Sequence, residues 1–164
     1  MSMDMYEVAK GIEKEGMEFY TKLAEDAPLQ EARGVFEFLA REEQRHYNIF
    51  SDMQQQKPPA LAKEKNVLWY ARESFDKIAK PFKEFEPMED FETAYAKALE
   101  LEKKSIDYYT QILEKAQSPQ DKEVLTFILG QEKQHAALME NLLEFTRRPK
   151  LWLENAEWNH LEKY

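Results

Sequence analysis

Polar and apolar positions along this chain alternate in steps of three and four, the period of a helix with one buried face. Ala9, Glu13, Gly16, Tyr20 and Leu23 make a first stripe, and Val35, Leu39, Glu43, His46, Phe50 and Met53 a second. Ala98, Glu102, Ser105, Tyr109, Ile112 and Ala116 make a third, and Val124, Ile128, Glu132, His135, Met139 and Leu142 a fourth. Asp4 followed by Glu7 reads as a capping box opening the first helix. A tight turn is expected around Asp26-Ala27-Pro28, and Lys57-Pro58-Pro59 ends the second helix. Ser118-Pro119 with Asp121 supplies a cap, a first-turn proline and an acidic first turn for the fourth, which Arg147-Arg148-Pro149 closes. The pattern predicts an all-α chain: a four-helix bundle over residues 1–147 with a long crossover, 57–88, between its second and third helices. Val67, Leu68, Ala71, Phe75, Ile78 and Ala79 predict a short helix inside that crossover. Residues 148–164, with two tryptophans, are expected to form a tail helix packing on the bundle or on a partner.

The stripes carry residues that an apolar core does not want. Glu13, Tyr20, Glu43 and His46 recur as Glu102, Tyr109, Glu132 and His135, and 102 − 13, 109 − 20, 132 − 43 and 135 − 46 all equal 89. Each copy reads Glu, about thirty residues, then Glu-x-x-His. Residue 28 lies midway between Glu13 and Glu43, and residue 117 midway between Glu102 and Glu132. In antiparallel helix pairs, residues equidistant from the turn share one height, here roughly 20 Å from each turn at ~1.5 Å per residue. The three-residue step in Glu-x-x-His puts both side chains on one helix face. Six ligands from four helices can therefore converge. Four buried carboxylates need cations, and two divalent ions balance them while the imidazoles bind neutral. Two Glu with two Glu-x-x-His pairs is a known dinuclear ligand set of helix bundles.

Glu157-Trp158-Asn159-His160 is a third Glu-x-x-His, but Phe127 stands thirty residues before it, so it reads as surface tail. Glu42 competes with Glu43 for the inner face; its repeat counterpart is Gln131, whereas Glu43 matches Glu132, which favours Glu43. Tyr20 and Tyr109 either pack their rings or hydrogen-bond the coordinated carboxylates. Trp69 and Trp152 cover a dimer contact or pack in the core.

Composition removes several classes. A length of 164 residues suits one domain. The formal net charge of −9 argues against nucleic acid as a partner. With no cysteine there are no disulfides, zinc–thiolate sites or iron–sulfur clusters. Neither a signal core nor a long uncharged apolar run appears, so no membrane association is expected and the cytoplasm is the expected location.

The segments GIEKEGMEFYTKLAE, FLAREEQRHYNIF, LELEKKSIDYYTQILEKA and FILGQEKQHAALMENLLEF resemble the four helices of rubrerythrin-like, ferritin-like diiron proteins, over roughly residues 4–147. The resemblance implies a ferritin-like bundle holding two iron ions, with Glu43 and Glu132 bridging, Glu13 and Glu102 terminal, and His46 and His135 each on one metal. It also implies oxidation of the reduced centre by hydrogen peroxide or dioxygen, and commonly a homodimer. Two departures stand out. Without cysteine the chain carries no rubredoxin domain, so electrons would come from a separate donor such as a rubredoxin-type protein. The extra Glu that rubrerythrins carry three residues after the third-helix ligand is Ser105, with Gly16 as its repeat counterpart, so the ligand set is symmetric. The leading expectation is a diiron peroxidase or ferroxidase. Iron storage, a dimanganese catalase-like centre and a vestigial site are the alternatives.

Overall fold

A computed structural model describes residues 2–27, 30–61, 66–79 and 89–147. Those residues form five helices and no strand: α1 (Met3–Asp26), α2 (Gln30–Gln54), α3 (Val67–Ala79), α4 (Glu89–Lys115) and α5 (Pro119–Arg147). Four are the long amphipathic helices of the sequence pattern, and α3 is the crossover helix. Pro28, the rest of the crossover (62–65 and 80–88) and the tail 148–164, with Trp152, Glu157 and His160, lie outside the described residues.

The helix ends follow local chemistry. Ser118 accepts from the Asp121 amide at 3.3 Å, and Pro119 takes the first helical position, where its missing N–H leaves nothing unsatisfied. The first cap differs from expectation. Ser2, not Asp4, is the N-cap, its side chain accepting from the Met5 amide at 3.4 Å. Helix begins at Met3, so Asp4 is already inside it, and the residue three after Ser2 is Met5, which cannot reciprocate as a capping-box Glu does. At the end of α2, Gln56 adopts φ 57°. The Gln56 amide reaches Met53 O at 3.0 Å and the Lys57 amide reaches Asp52 O at 2.8 Å, the paired bonds of a Schellman stop.

Helices α1 and α2 form one antiparallel pair and α4 and α5 the other, while α3 packs on α2 and α5. The start of α1 meets the end of α4, where the Tyr108 hydroxyl donates to Met5 O at 3.2 Å. The apolar core falls into two clusters. One gathers Tyr20, Leu23, Phe36, Leu39, Leu138, Met139 and Leu142 with Leu68 and Ala71 of α3. The other gathers Tyr6, Ala9, Phe50, Tyr109, Ile112, Leu125 and Ile128. Between them lies a layer of buried charge. Trp69 is 44% exposed, so it packs no core in this chain. Among the described residues, no helix is long and apolar enough to cross a membrane.

Candidate metal centre

Each long helix brings one or two polar side chains into the layer between the apolar clusters. Glu13 comes from α1, Glu43 and His46 from α2, Glu102 from α4, and Glu132 and His135 from α5, all between 0 and 3% exposed. They fall into two overlapping groups of potential metal ligands. Glu13, Glu43, His46 and Glu132 offer donor atoms within 4.8 Å of one another, and so do Glu43, Glu102, Glu132 and His135. Glu43 and Glu132 belong to both groups. The equal heights expected from the turn midpoints are realised in space.

Both imidazoles present Nδ1 to the carboxylates. His46 Nδ1 lies 3.0 Å from Glu132 Oε1, 3.2 Å from Glu13 Oε2 and 3.9 Å from Glu43 Oε2. His135 Nδ1 lies 3.0 Å from Glu43 Oε1, 3.8 Å from Glu102 Oε2 and 4.0 Å from Glu132 Oε1. The two rings are near parallel, 19° apart, with centroids separated by 6.0 Å.

The tyrosines reach across the bundle. The Tyr20 hydroxyl of α1 donates to Glu102 of α4, and the Tyr109 hydroxyl of α4 donates to Glu13 of α1. The reading from sequence left open whether these rings merely pack. They do both, since each is 2% exposed or less and sits in an apolar cluster.

The polar groups here are not satisfied among themselves. Glu43 Oε1, Glu102 Oε2, both Glu132 oxygens and both His135 nitrogens are buried without a hydrogen bond. His135 Nδ1 and Glu43 Oε1 are 3.0 Å apart, but not in the alignment of a hydrogen bond. Buried orphans of this kind cost free energy unless a further group joins them.

Protonation reflects the same frustration. Burial, then the charge of Glu132, pushes the Glu43 and Glu102 carboxyls well above the usual carboxylate range. Burial works against protonated imidazoles, but Glu13 overcomes it at His46 and Glu42 and Glu43 at His135, so both lie well above the ordinary histidine value. Burial would also raise Glu132, but the His46 imidazole, with Nδ1 3.0 Å from Glu132 Oε1, and the charge of His135 hold it below the usual range. Without a cation, protons hold the cluster together. A divalent cation fits the orphaned oxygens and nitrogens directly, because carboxylate oxygen and imidazole nitrogen are the donors that iron or manganese takes.

Two features of the surroundings escaped the reading from sequence. A pocket of about 50 Å³ runs between α1 and α4 from exposed Glu15 and Lys104 to buried Glu43 and Glu102, flanked by Gly16 and Ser105. It exists because those two positions are small: a Cβ on Gly16 would lie 3.3 Å from the Glu43 side chain. The second is an outer layer made by Glu42 and Gln131. Gln131 Nε2 donates to Glu42 Oε2 at 3.0 Å, and His46 Nε2 meets Gln131 Oε1 at 2.8 Å. Glu42 thus lies outside both donor groups, behind the histidines. Its place next to Glu43, in an i, i+4 step with His46, was the available signal.

No curated protein and no solved structure matches the chain. The rubrerythrin family model matches residues 4–143, which take in α2 and α4 whole, nearly all of α1 and α5, and every residue of the buried cluster. A ferritin-like helical bundle, a doubled Glu and Glu-x-x-His constellation and this match agree, and the chain belongs to the rubrerythrin family.

Proposed function

We propose that the chain is a non-haem diiron oxidoreductase that reduces hydrogen peroxide or dioxygen, in which Glu43 and Glu132 would be shared between two iron ions. On this reading Glu13 and His46 complete one position, and Glu102 and His135 the other. The observation that carries it is the overlap of the two donor groups at Glu43 and Glu132. Two metals sharing two carboxylates need two groups arranged in this way.

Two bound iron ions supply one electron each, which matches a two-electron oxidant. The side chains do the rest. Four carboxylates neutralise the ions in a buried layer, and Tyr20 and Tyr109 hold the outer carboxylates Glu102 and Glu13 in place. The pocket beside Gly16 and Ser105 supports a small oxidant. It holds a molecule of the size of peroxide, since one water needs roughly 10–15 Å³ of such space. Electrons return from a separate donor, for which a rubredoxin-type protein is suited, and the chain works as a homodimer.

Metal content per chain by mass spectrometry, after expression with iron and manganese both supplied, tests the centre. Two irons, followed by stopped-flow oxidation faster with peroxide or dioxygen than in their absence, is the expected result. Glu132→Ala should abolish that turnover with the helical signal intact. Two manganese ions would redirect the chemistry to peroxide disproportionation. A chain that takes up neither metal would overturn the proposal.

A further inference from the structure

The repeat that builds this site is chemically broken at Glu42 and Gln131. The two positions are repeat equivalents, since 131 − 42 equals 89, and they touch between α2 and α5, Gln131 Nε2 donating to Glu42 Oε2 at 3.0 Å. One is an anion and the other a neutral amide. Each stands behind the imidazole of the opposite half.

Both histidines turn Nδ1 to the carboxylate cluster, so Nε2 is the atom facing outward. His46 Nε2 meets Gln131 Oε1 at 2.8 Å, while His135 Nε2, fully buried and without a hydrogen bond, faces Glu42 Oε2 at 3.9 Å. Arg45 Nη1, 2.7 Å from Glu42 Oε1, keeps Glu42 an acceptor. Directions then follow along the chain of contacts. A carboxylate can only accept, so Gln131 turns its NH₂ to Glu42 and its carbonyl oxygen to His46. That oxygen can only accept as well, so in the neutral imidazole the His46 proton sits on Nε2 and the lone pair on Nδ1. Gln131 therefore sets one tautomer through an amide, whereas His135 is backed by a carboxylate whose other oxygen is ion-paired with Arg45.

We infer that Glu42 and Gln131 make the two metal positions unequal. The position of Glu102 and His135 binds a divalent ion more tightly than the position of Glu13 and His46. The inference rests on the dinuclear reading above. A metal-bound imidazole becomes more electron-rich when its far N–H faces a carboxylate, and such outer partners change metal affinity by about 10- to 100-fold. An amide at the same place orients the ring but lends it no charge. Both residues act through the histidines and are positioning residues.

The test is calorimetric titration of the metal-free full-length chain with cobalt(II), followed also by the visible absorption of the bound ion. Two steps separated by at least about tenfold are expected, and Glu102→Gln should erase the tighter one. Glu42→Gln should weaken the tighter step by about 10- to 100-fold and merge the two. Gln131→Met, which keeps length but removes the acceptor, should weaken only the second step and serves if Glu42→Gln folds poorly. Two equal steps in the unmodified chain, or an unchanged two-step curve in both variants, would overturn the inequality while leaving the dinuclear site standing. No cobalt uptake at all would overturn both.

Discussion

Replacing Glu132 by Gln changes one atom of the site and very little of its volume, yet it should affect both metal positions. Glu132 belongs to both donor groups, with Oε1 at 3.0 Å from His46 Nδ1 and 4.0 Å from His135 Nδ1, and neither of its oxygens has a hydrogen bond. Four carboxylates balance two divalent ions, so Glu132→Gln leaves one positive charge uncompensated in a layer at most 3% exposed. Removing one partner of a buried ion pair costs about 3–5 kcal/mol. At about 1.4 kcal/mol per tenfold, binding should weaken by roughly two to three and a half orders of magnitude, shared between the two ions. Glu102→Gln gives the contrast. It enters only the group of His135 and leaves Glu13, Glu43, His46 and Glu132 complete. Anaerobic calorimetry with Fe(II), with circular dichroism as a check on folding, should show both ions weakened in Glu132→Gln and one in Glu102→Gln. Unchanged affinity for two ions in Glu132→Gln, or identical isotherms for both variants, would refute the shared-carboxylate reasoning.

The pH dependence of stability should reverse sign with metal. In the metal-free chain the raised values of His46, His135, Glu43 and Glu102 mean that the folded state binds more protons than the unfolded one. The histidine contribution is complete below about pH 6.5 and is lost as pH rises toward the folded values, so stability should fall as pH rises above about 6.5. The lowered Glu42 and Glu132 act the other way, but only in acid, below the ordinary carboxylate range. Metal displaces those protons, so the loaded chain should gain stability over the same interval, and urea midpoints with chelator or cobalt check both signs. Tyr20→Phe and Tyr109→Phe keep the ring and remove the bond to Glu102 or Glu13, so each should cost about 1.5–3 kcal/mol in denaturant unfolding. A loss below about 0.5 kcal/mol would show that those hydroxyls do not hold the carboxylates. Hydrogen peroxide should oxidise the loaded centre faster than tert-butyl hydroperoxide by about 10- to 100-fold, because forcing the extra methyl groups into a pocket of about 50 Å³ costs about 1–3 kcal/mol. Equal rates in stopped flow would place oxidant entry elsewhere.

The sequence by itself determined the helices and the level of the site. Periodicity of 3.6 residues assigns each side chain a face, and turns at equal distances from Glu13 and Glu43, or from Glu102 and Glu132, assign it a height. A repeat of 89 residues then implies that the two halves meet as equals. α3 was legible for the same reason, since its apolar positions start at Val67. The first cap was misjudged because Ser2 and Asp4 are both good N-caps, and only the backbone shows which of them stands outside the helix. What the tertiary structure decided is which neighbour each inward group meets. Tyr20 and Glu13 share a face of α1, but seven residues apart they are about 10.5 Å distant along the axis. The antiparallel approach of α4 brings Glu102 to Tyr20 instead. Glu42 and Gln131 lie beside the ligands in sequence, and their meeting behind the histidines depends on how α2 and α5 are rotated against each other. Pattern along one helix fixes direction relative to its own axis. Contact between side chains of different helices is a property of packing, and packing is decided only when all four helices are in place.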